Sequence, residues 1–205
     1  EKQKPNIVII LTDDMGYGDP TCFNPDSKIP TPHIDKLAAD GMKFTDAHAP
    51  GPLCHVSRYG LMTGRYPFRK RIVWKNNAVI DKDRLTLPGM LQKNGYHTAM
   101  VGKWHLGYKQ KKFLPVNQGF DTWFGLPYSN DYIKPWVQTD EPLGLYRGEE
   151  MIEHPFNQNS LTTRYTKEAV QLIKQSPSEK PFFLYVAYAM PHLPLAVSDD
   201  RRGKS

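Results

Sequence analysis

The chain contains two continuous runs of apolar residues that are typical of strands buried on both faces. One runs from Asn6 to Thr12 and the other from Pro181 to Tyr188. A further strand is predicted from Tyr96 to Val101. Apolar runs without alternation occur in the middle of parallel sheets, where helices cover both faces. We therefore expect a mainly parallel sheet that contains these three segments.

Helix start and stop signals lie between the predicted strands. They indicate four helices, at residues 31–41, 57–62, 86–95 and 160–175. Met42 to Ala47 is predicted as another strand, and residues 108–160 as a loop-rich segment. Helices that alternate with apolar strands predict an α/β fold with helices on both faces of the sheet.

Charged side chains follow three of the predicted strands. Asp13 and Asp14 follow the first, Lys103 and His105 follow the strand from Tyr96, and His192 follows the last. In open parallel sheets, ligands bind beyond the carboxyl ends of the strands. Two carboxylates, an ammonium and two imidazoles at one edge indicate a site for a metal ion and an anion.

The adjacent carboxylates of Asp13 and Asp14 favour a hard divalent cation. Like charges side by side are unfavourable unless a cation neutralises them. A Ca²⁺ ion takes ~6–8 oxygen ligands, so two aspartates cannot fill its shell. Other ligands must therefore come from elsewhere.

Cys54 comes just before a predicted helix start, where the helix dipole and free N–H groups favour an anion. Arg58 lies four residues later, one helical turn away, so it can face back toward the cysteine. A buried cysteine is often only a small apolar side chain. The alternative is a nucleophile beside an anion site, and the sequence alone leaves both open.

The composition fits an ordered globular protein. The 205 residues carry 27 Lys and Arg against 21 Asp and Glu, a net charge of +6, which either reflects a solvated basic surface or steers an anionic substrate. The only dense basic run, Phe68 to Arg71, does not favour nucleic acid as a partner. No apolar run approaches the ~18 residues of a membrane span. Two cysteines do not make a disulfide scaffold.

The segment that begins at Cys54 resembles the sulfatase signature, Cys-x-Pro-Ser-Arg followed by x-x-x-Leu-Thr-Gly-Arg. The matching positions are Cys54, Ser57, Arg58, Thr63, Gly64 and Arg65. Val56 stands where the family has Pro or Ala, and Met62 where it has Leu. Other family motifs follow the same order along the chain, at residues 5–19, 31–38, 102–107, 118–121 and 127–131. The last two are similar to the arylsulfatase A branch, which includes the galactosamine-6-sulfatases.

This resemblance implies a chemistry for the nucleophile and the metal. Cys54 would be oxidised to formylglycine by a maturation enzyme, and its hydrated gem-diol would attack the ester sulfur. Asp13 and Asp14 would bind Ca²⁺ together with an oxygen of the modified Cys54. Arg58 would hold that residue in place.

The resemblance also implies how the sulfate group is handled. Lys103 and His192 would bind sulfate oxygens, and His192 would also protonate the leaving alcohol. His105 would hydrogen-bond the second diol hydroxyl and help to expel sulfate. Ser129 matches a sulfate-contacting serine of the arylsulfatase A branch. The substrate expected is a sulfated small molecule or, preferably, a sulfated glycan, with Trp123, Tyr128, Tyr132 and Trp136 available either for sugar stacking or for core packing.

The resemblance further implies that residues 1–205 form an incomplete, alkaline-phosphatase-like N-terminal catalytic domain, without the smaller C-terminal domain of the family. The chain starts at Glu1, so either a leader peptide has been removed or the chain has been trimmed. Export to the periplasm, the exterior or a lysosome is expected. Three alternatives remain: a phosphate or phosphonate monoester hydrolase of the same superfamily, an inactive module that binds sulfated glycans, and a fragment with no activity of its own.

Overall fold

A computed structural model describes residues 4–70, 72 and 79–203. Six strands form one sheet: β1 (Ile7–Leu11), β2 (His97–Gly102), β3 (Thr122–Gly125), β4 (Leu145–Arg147), β5 (Glu150–Glu153) and β6 (Phe182–Ala187). Their order across the sheet is β1-β6-β2-β3-β4-β5. The first four strands in this order are parallel, and the last two add as antiparallel strands. The predicted mainly parallel sheet is confirmed.

Helices cover both faces of the sheet, as predicted. The described α-helices are α1 (Pro32–Asp40), which buries none of its residues, α2 (Cys54–Thr63), α3 (Leu87–Lys93) and α4 (Leu161–Gln175). On one face α4 packs Leu161, Tyr165 and Ala169 against the sheet. On the other face α2 and α3 contribute residues such as Tyr59 and Leu91. No helix in the described ranges is long and apolar enough to cross a membrane.

The central strand β6 shows why its sequence is apolar without interruption. Successive side chains of a strand point to opposite faces. The residues Phe182, Leu184 and Val186 therefore join the core under α4, while Phe183, Tyr185 and Ala187 join the core under α2 and α3. Because helices cover both faces, every residue of β6 is buried.

Strand β1 differs from the prediction in its position. Its apolar run predicted a strand in the middle of the sheet, but within the described residues β1 pairs only with β6 and lies at the edge. Val8 and Ile10 are 44% and 61% exposed because no described helix covers that end of their face. An apolar run indicates a strand but does not show how many neighbours it has.

One other prediction of secondary structure was wrong. Met42 to Ala47 forms no strand: no described strand pairs with it, and the side chains of Met42 and Phe44 are 76% and 68% exposed. The segment 108–160 is loop-rich as predicted, and it also contains the short strands β3, β4 and β5. These strands are only three or four residues long, too short to produce a detectable period in the sequence.

Gly102 allows β2 to end in close contact with β6. Its φ is +108°, and a Cβ built there would lie 1.9 Å from the carbonyl oxygen of Ala187. Lys103 follows directly, and its N–H donates to the same oxygen at 2.9 Å. The glycine therefore fixes the point at which the chain leaves the sheet and presents Lys103.

We expect Gly102→Ala to destabilise the protein by ~3 kcal/mol or more, since it adds both a steric clash and a strained φ. Gly148 has a positive φ of +60° but no atom near its Cβ position, so it is the matched control. Gly148→Ala should cost only ~1 kcal/mol. Denaturant unfolding of both variants measures the difference, and equal losses would show that the contact with Ala187 is unimportant.

Candidate active site

The ends of β1, β6 and β2 lie side by side, so the residues that follow them meet at one edge of the sheet. The N–H of Asp13 donates to the carbonyl of Met190 at 3.3 Å, which joins the ends of β1 and β6. Lys103 is joined to β6 through Ala187. The predicted convergence of the three strand ends is confirmed.

A cluster of three buried charges occupies this edge. The side chain of Lys103 is fully buried, and its Nζ donates to Oδ2 of Asp13 and to Oγ of Ser129, the latter at 3.0 Å. Nη2 of Arg58 lies 3.5 Å from the same oxygen of Asp13. Burying charges is costly unless they are paired, and here two cations share one carboxylate. The cluster therefore carries an excess positive charge that favours an anion.

Arg58 is fixed from two sides. One of its terminal nitrogens, Nη1, donates to the carbonyl of Lys103 at 2.5 Å and to the hydroxyl of Tyr185 at 3.3 Å. Within the described residues its Nε and Nη2 have no hydrogen-bond acceptor. Buried nitrogens whose N–H groups have no acceptor are unusual. An anion with several oxygens could accept hydrogen bonds from both.

Cys54 and His105 form a second contact beside this cluster. Cys54 is the first residue of α2, and its Sγ lies 3.1 Å from Nδ1 of His105. Burial, together with the charges of Lys103 and Arg58, holds the pKa of His105 well below its usual value. The His105 ring is therefore neutral near pH 7 and can exchange a proton with a group at the position of Sγ.

His55 adjoins the same contact. Its ring centroid lies 5.7 Å from that of His105. Burial, and then the charge of Lys103, lower the pKa of His55 as well. The site thus places neutral imidazoles next to fixed cations.

Backbone strain is concentrated at the site. In the described residues three non-glycine residues have positive φ, and two of them are Asp14 (64°) and His105 (61°). Such conformations cost ~1–3 kcal/mol each and cluster at functional sites. Asp14 is turned outward, with its side chain 67% exposed, and its Oδ2 lies 3.7 Å from Nε2 of His192. His192 also contacts the carbonyl of Leu193 through Nδ1 at 2.5 Å.

The aspartates supply part of a calcium site. Carboxylate oxygens are the ligands that Ca²⁺ prefers, but two carboxylates cannot provide the ~6–8 oxygens that it takes. The described part of the chain contains no group of three or more His, Cys, Asp or Glu residues arranged to hold a metal ion. The predicted set of Asp13, Asp14 and Cys54 is not assembled, because Oδ2 of Asp13 faces Lys103 and Asp14 faces outward. The residues present fit Ca²⁺ in donor type and fall short in number.

The four aromatic residues considered for sugar stacking divide into two groups. Trp123 and Tyr128 are each 2% exposed and belong to the core. Tyr132 lies against His105, with ring centroids 6.0 Å apart, and Trp136 is 49% exposed. Only the second pair is placed to meet a ligand.

Sequence reasoning missed two residues near the site. Tyr185 lies inside an apolar strand, where its hydroxyl gives no signal, yet it accepts a hydrogen bond from Arg58. Asn130 is fully buried, and its Nδ2 lies 3.5 Å from the carbonyl of Leu193. The one sequence feature that pointed to Asn130 was its position directly after Ser129.

Comparison with known proteins identifies the family. The sulfatase profile matches residues 5–204. The chain belongs to the sulfatase family. It is 40% identical to arylsulfatase G of Rattus norvegicus, over 95% of this chain and 42% of that protein. It is 37% identical to N-acetylgalactosamine-6-sulfatase of Homo sapiens, over 99% of this chain and 42% of that protein.

A solved structure of a sulfatase relative agrees with the fold. Ps i-CgsB in complex with k-i-k-neocarrahexaose is 33% identical, with a TM-score of 0.76, over 97% of this chain and 48% of that chain. The sulfatase chain described here thus spans about 42% of the length of the curated relatives that it matches. The alkaline-phosphatase-like architecture expected from the sequence is confirmed for this part.

Proposed function

We propose that the protein that carries this sulfatase chain hydrolyses sulfate esters. The observation that supports this most strongly is the position of Cys54. Cys54 begins helix α2, and its Sγ lies 3.1 Å from Nδ1 of His105. Arg58, one helical turn later, belongs to the buried cluster with excess positive charge. A sulfate ester is an anion whose oxygens need such charge when the bond to the alcohol breaks.

Cys54 is proposed to be the precursor of formylglycine, which a maturation enzyme would form. The hydrated aldehyde supplies an oxygen nucleophile where the thiol now stands. His105 lies within hydrogen-bond distance of that position, so a neutral His105 ring can accept a proton there. Arg58, held by Lys103 and Tyr185, fixes the start of α2 against the sheet.

Lys103, Ser129 and His192 are proposed to bind and protonate the substrate. Nζ of Lys103 and Oγ of Ser129 already contact each other, so both can reach one sulfate oxygen. His192 lies on the outer side, with its side chain 18% exposed, where a leaving alcohol would depart. An imidazole at that place can donate a proton to the leaving oxygen.

Asp13 and Asp14 are proposed to hold Ca²⁺ in the complete protein, together with Cys54 in its modified form. When bound, the ion would supply positive charge to an anionic substrate. The aspartates provide too few oxygens by themselves, so the remaining ligands would be other oxygen groups or water.

The proposed substrate is a sulfated carbohydrate. One relative is named N-acetylgalactosamine-6-sulfatase, and Ps i-CgsB was solved with a neocarrahexaose bound. Exposed Trp136 offers an aromatic surface for a sugar ring. Export of the protein to the periplasm, the exterior or a lysosome stays a prediction.

Cys54→Ala in the full-length protein should abolish turnover of a nitrophenyl sulfate and leave the unfolding temperature nearly unchanged, since the side chain is small. Cys22→Ala is the matched control, because Cys22 is the other free cysteine and lies outside the site. It should retain wild-type turnover. Substantial sulfatase activity in Cys54→Ala would reject Cys54 as the nucleophile precursor. Nitrophenyl phosphate, assayed in parallel, should be the poorer substrate.

Asp14→Asn should lower the affinity for Ca²⁺ by about tenfold or more, because a metal ligand is lost. Titration calorimetry of the full-length protein measures this without depending on activity. Asp46→Asn removes another exposed carboxylate, which pairs with His48, and this variant should bind Ca²⁺ normally. If the two variants and the wild type bind alike, Asp14 is not a ligand.

His192→Ala should slow hydrolysis of a sugar sulfate by about 10²-fold or more, the usual size of general-acid catalysis. The loss on a nitrophenyl sulfate should be much smaller, since a phenolate leaves without protonation. His33→Ala, an exposed residue of α1, serves as the control and should behave as wild type. Equal losses of kcat on both substrates would leave His192 as a binding residue only.

A further inference from the structure

An open cavity of about 980 Å³ lies outside the candidate active site and shares none of its residues. Its walls are residues 80–86, residues 112–113 and 117–119, together with Lys70, Gly89 and Lys93. Ligand pockets usually measure ~300–1,000 Å³, so this cavity is large enough for several sugar rings. A single sulfate ion would leave most of it empty.

The cavity is lined mainly by positive charge. The basic residues are Lys70, Lys82, Arg84, Lys93 and Lys112, against the two acidic residues Asp81 and Asp83. Lys70 is paired with Asp81 at 2.5 Å. Across the described ranges, the other four basic side chains have no carboxylate within 4.0 Å. The five basic and two acidic lining residues leave three excess positive charges around one cavity, which favours a ligand with several negative charges.

The uncharged lining favours a carbohydrate over a nucleic acid. Nδ2 of Asn117 donates to Glu149, and Nε2 of Gln118 donates to the carbonyl of Lys112. The amide oxygens of both side chains are therefore left to accept hydrogen bonds from sugar hydroxyls. Phe113 is the one aromatic residue among the lining residues. Proteins that bind single-stranded nucleic acid stack successive bases on several aromatic side chains.

We propose that this cavity is a second binding site, separate from the catalytic site, for a sulfated oligosaccharide. The choice of a sulfated glycan rests on the proposed function. The cavity adjoins the loop that carries the catalytic residues, because the indole N–H of Trp104 donates to the carbonyl of Phe113 at 2.9 Å. A long sulfated chain held there raises the local concentration of its other sulfate groups, which lowers KM for a polymer and not for a small ester.

The test is the double variant Lys82→Gln/Lys112→Gln in the full-length protein. Lys167→Gln/Lys174→Gln is the matched control, since it removes two exposed lysines from α4. Binding of a chondroitin 6-sulfate hexasaccharide is measured by calorimetry in a Cys54→Ala background, so that the probe is not consumed. The cavity variant should bind about tenfold more weakly, as expected for two lost ion pairs. The control should bind normally, and the desulfated hexasaccharide should bind neither protein.

Activity gives a second readout that separates this proposal from the proposed function. The cavity variant should raise KM for the hexasaccharide with unchanged kcat, and should leave nitrophenyl sulfate hydrolysis unaffected. Unchanged hexasaccharide binding in the cavity variant would overturn the second site even if the protein is an active sulfatase. Tighter binding of a single-stranded RNA of equal charge, lost in the same variant, would overturn the assignment to a glycan. A protein with no sulfatase activity would reject the proposed function, while the binding result would still decide the cavity.

Discussion

The contact on which the rest of the site depends is the buried carboxylate of Asp13 between the cations of Lys103 and Arg58. It joins the end of β1, the end of β2 and the helix that starts at Cys54. Separating these charges would leave an unpaired ion in the interior, which costs ~3–5 kcal/mol. The ion cluster therefore fixes the relative positions of three chain segments, and its excess positive charge defines what the site can bind.

The cluster also determines the proton chemistry around it. His105 and His55 are buried next to Lys103, and both burial and that charge lower their pKa values. Both rings are therefore neutral near pH 7. In the proposed function, Lys103 and Arg58 would bind the anionic substrate, and the His105 ring would exchange a proton with a group at the position of the Cys54 side chain. Strained backbone at Asp14 and His105 shows that the fold maintains this arrangement at a cost.

The sequence predicted the elements that are marked by long apolar runs or by residues that start and stop helices. The apolar run of β6 and the start and stop signals of α1, α3 and α4 were sufficient to locate those elements, and the residues after the strands were predicted to converge. The edge position of β1 could not be predicted, because the run records only that its side chains are apolar. The short strands β3, β4 and β5 gave no period. Tyr185 could not be predicted as a partner of Arg58, since the pairing depends on how α2 packs on β6.

The predicted calcium ligands show a second reason why the sequence could not predict the whole site. The resemblance implied three ligands, but the positions of Asp13 and Asp14 depend on charges contributed by other segments, and in the described residues Nζ of Lys103 contacts the carboxylate of Asp13. The chain also covers only about 42% of its curated relatives.

The proposed function requires the side chain at position 54 to be the group that reacts with the sulfate ester. Mass analysis of the tryptic peptide that contains residue 54, taken from active full-length protein, tests this requirement. Conversion of the thiol to an aldehyde lowers that mass and makes the peptide react with a hydrazide. We expect the lighter, hydrazide-reactive peptide, and an unmodified cysteine in fully active protein would rule out formylglycine at this position.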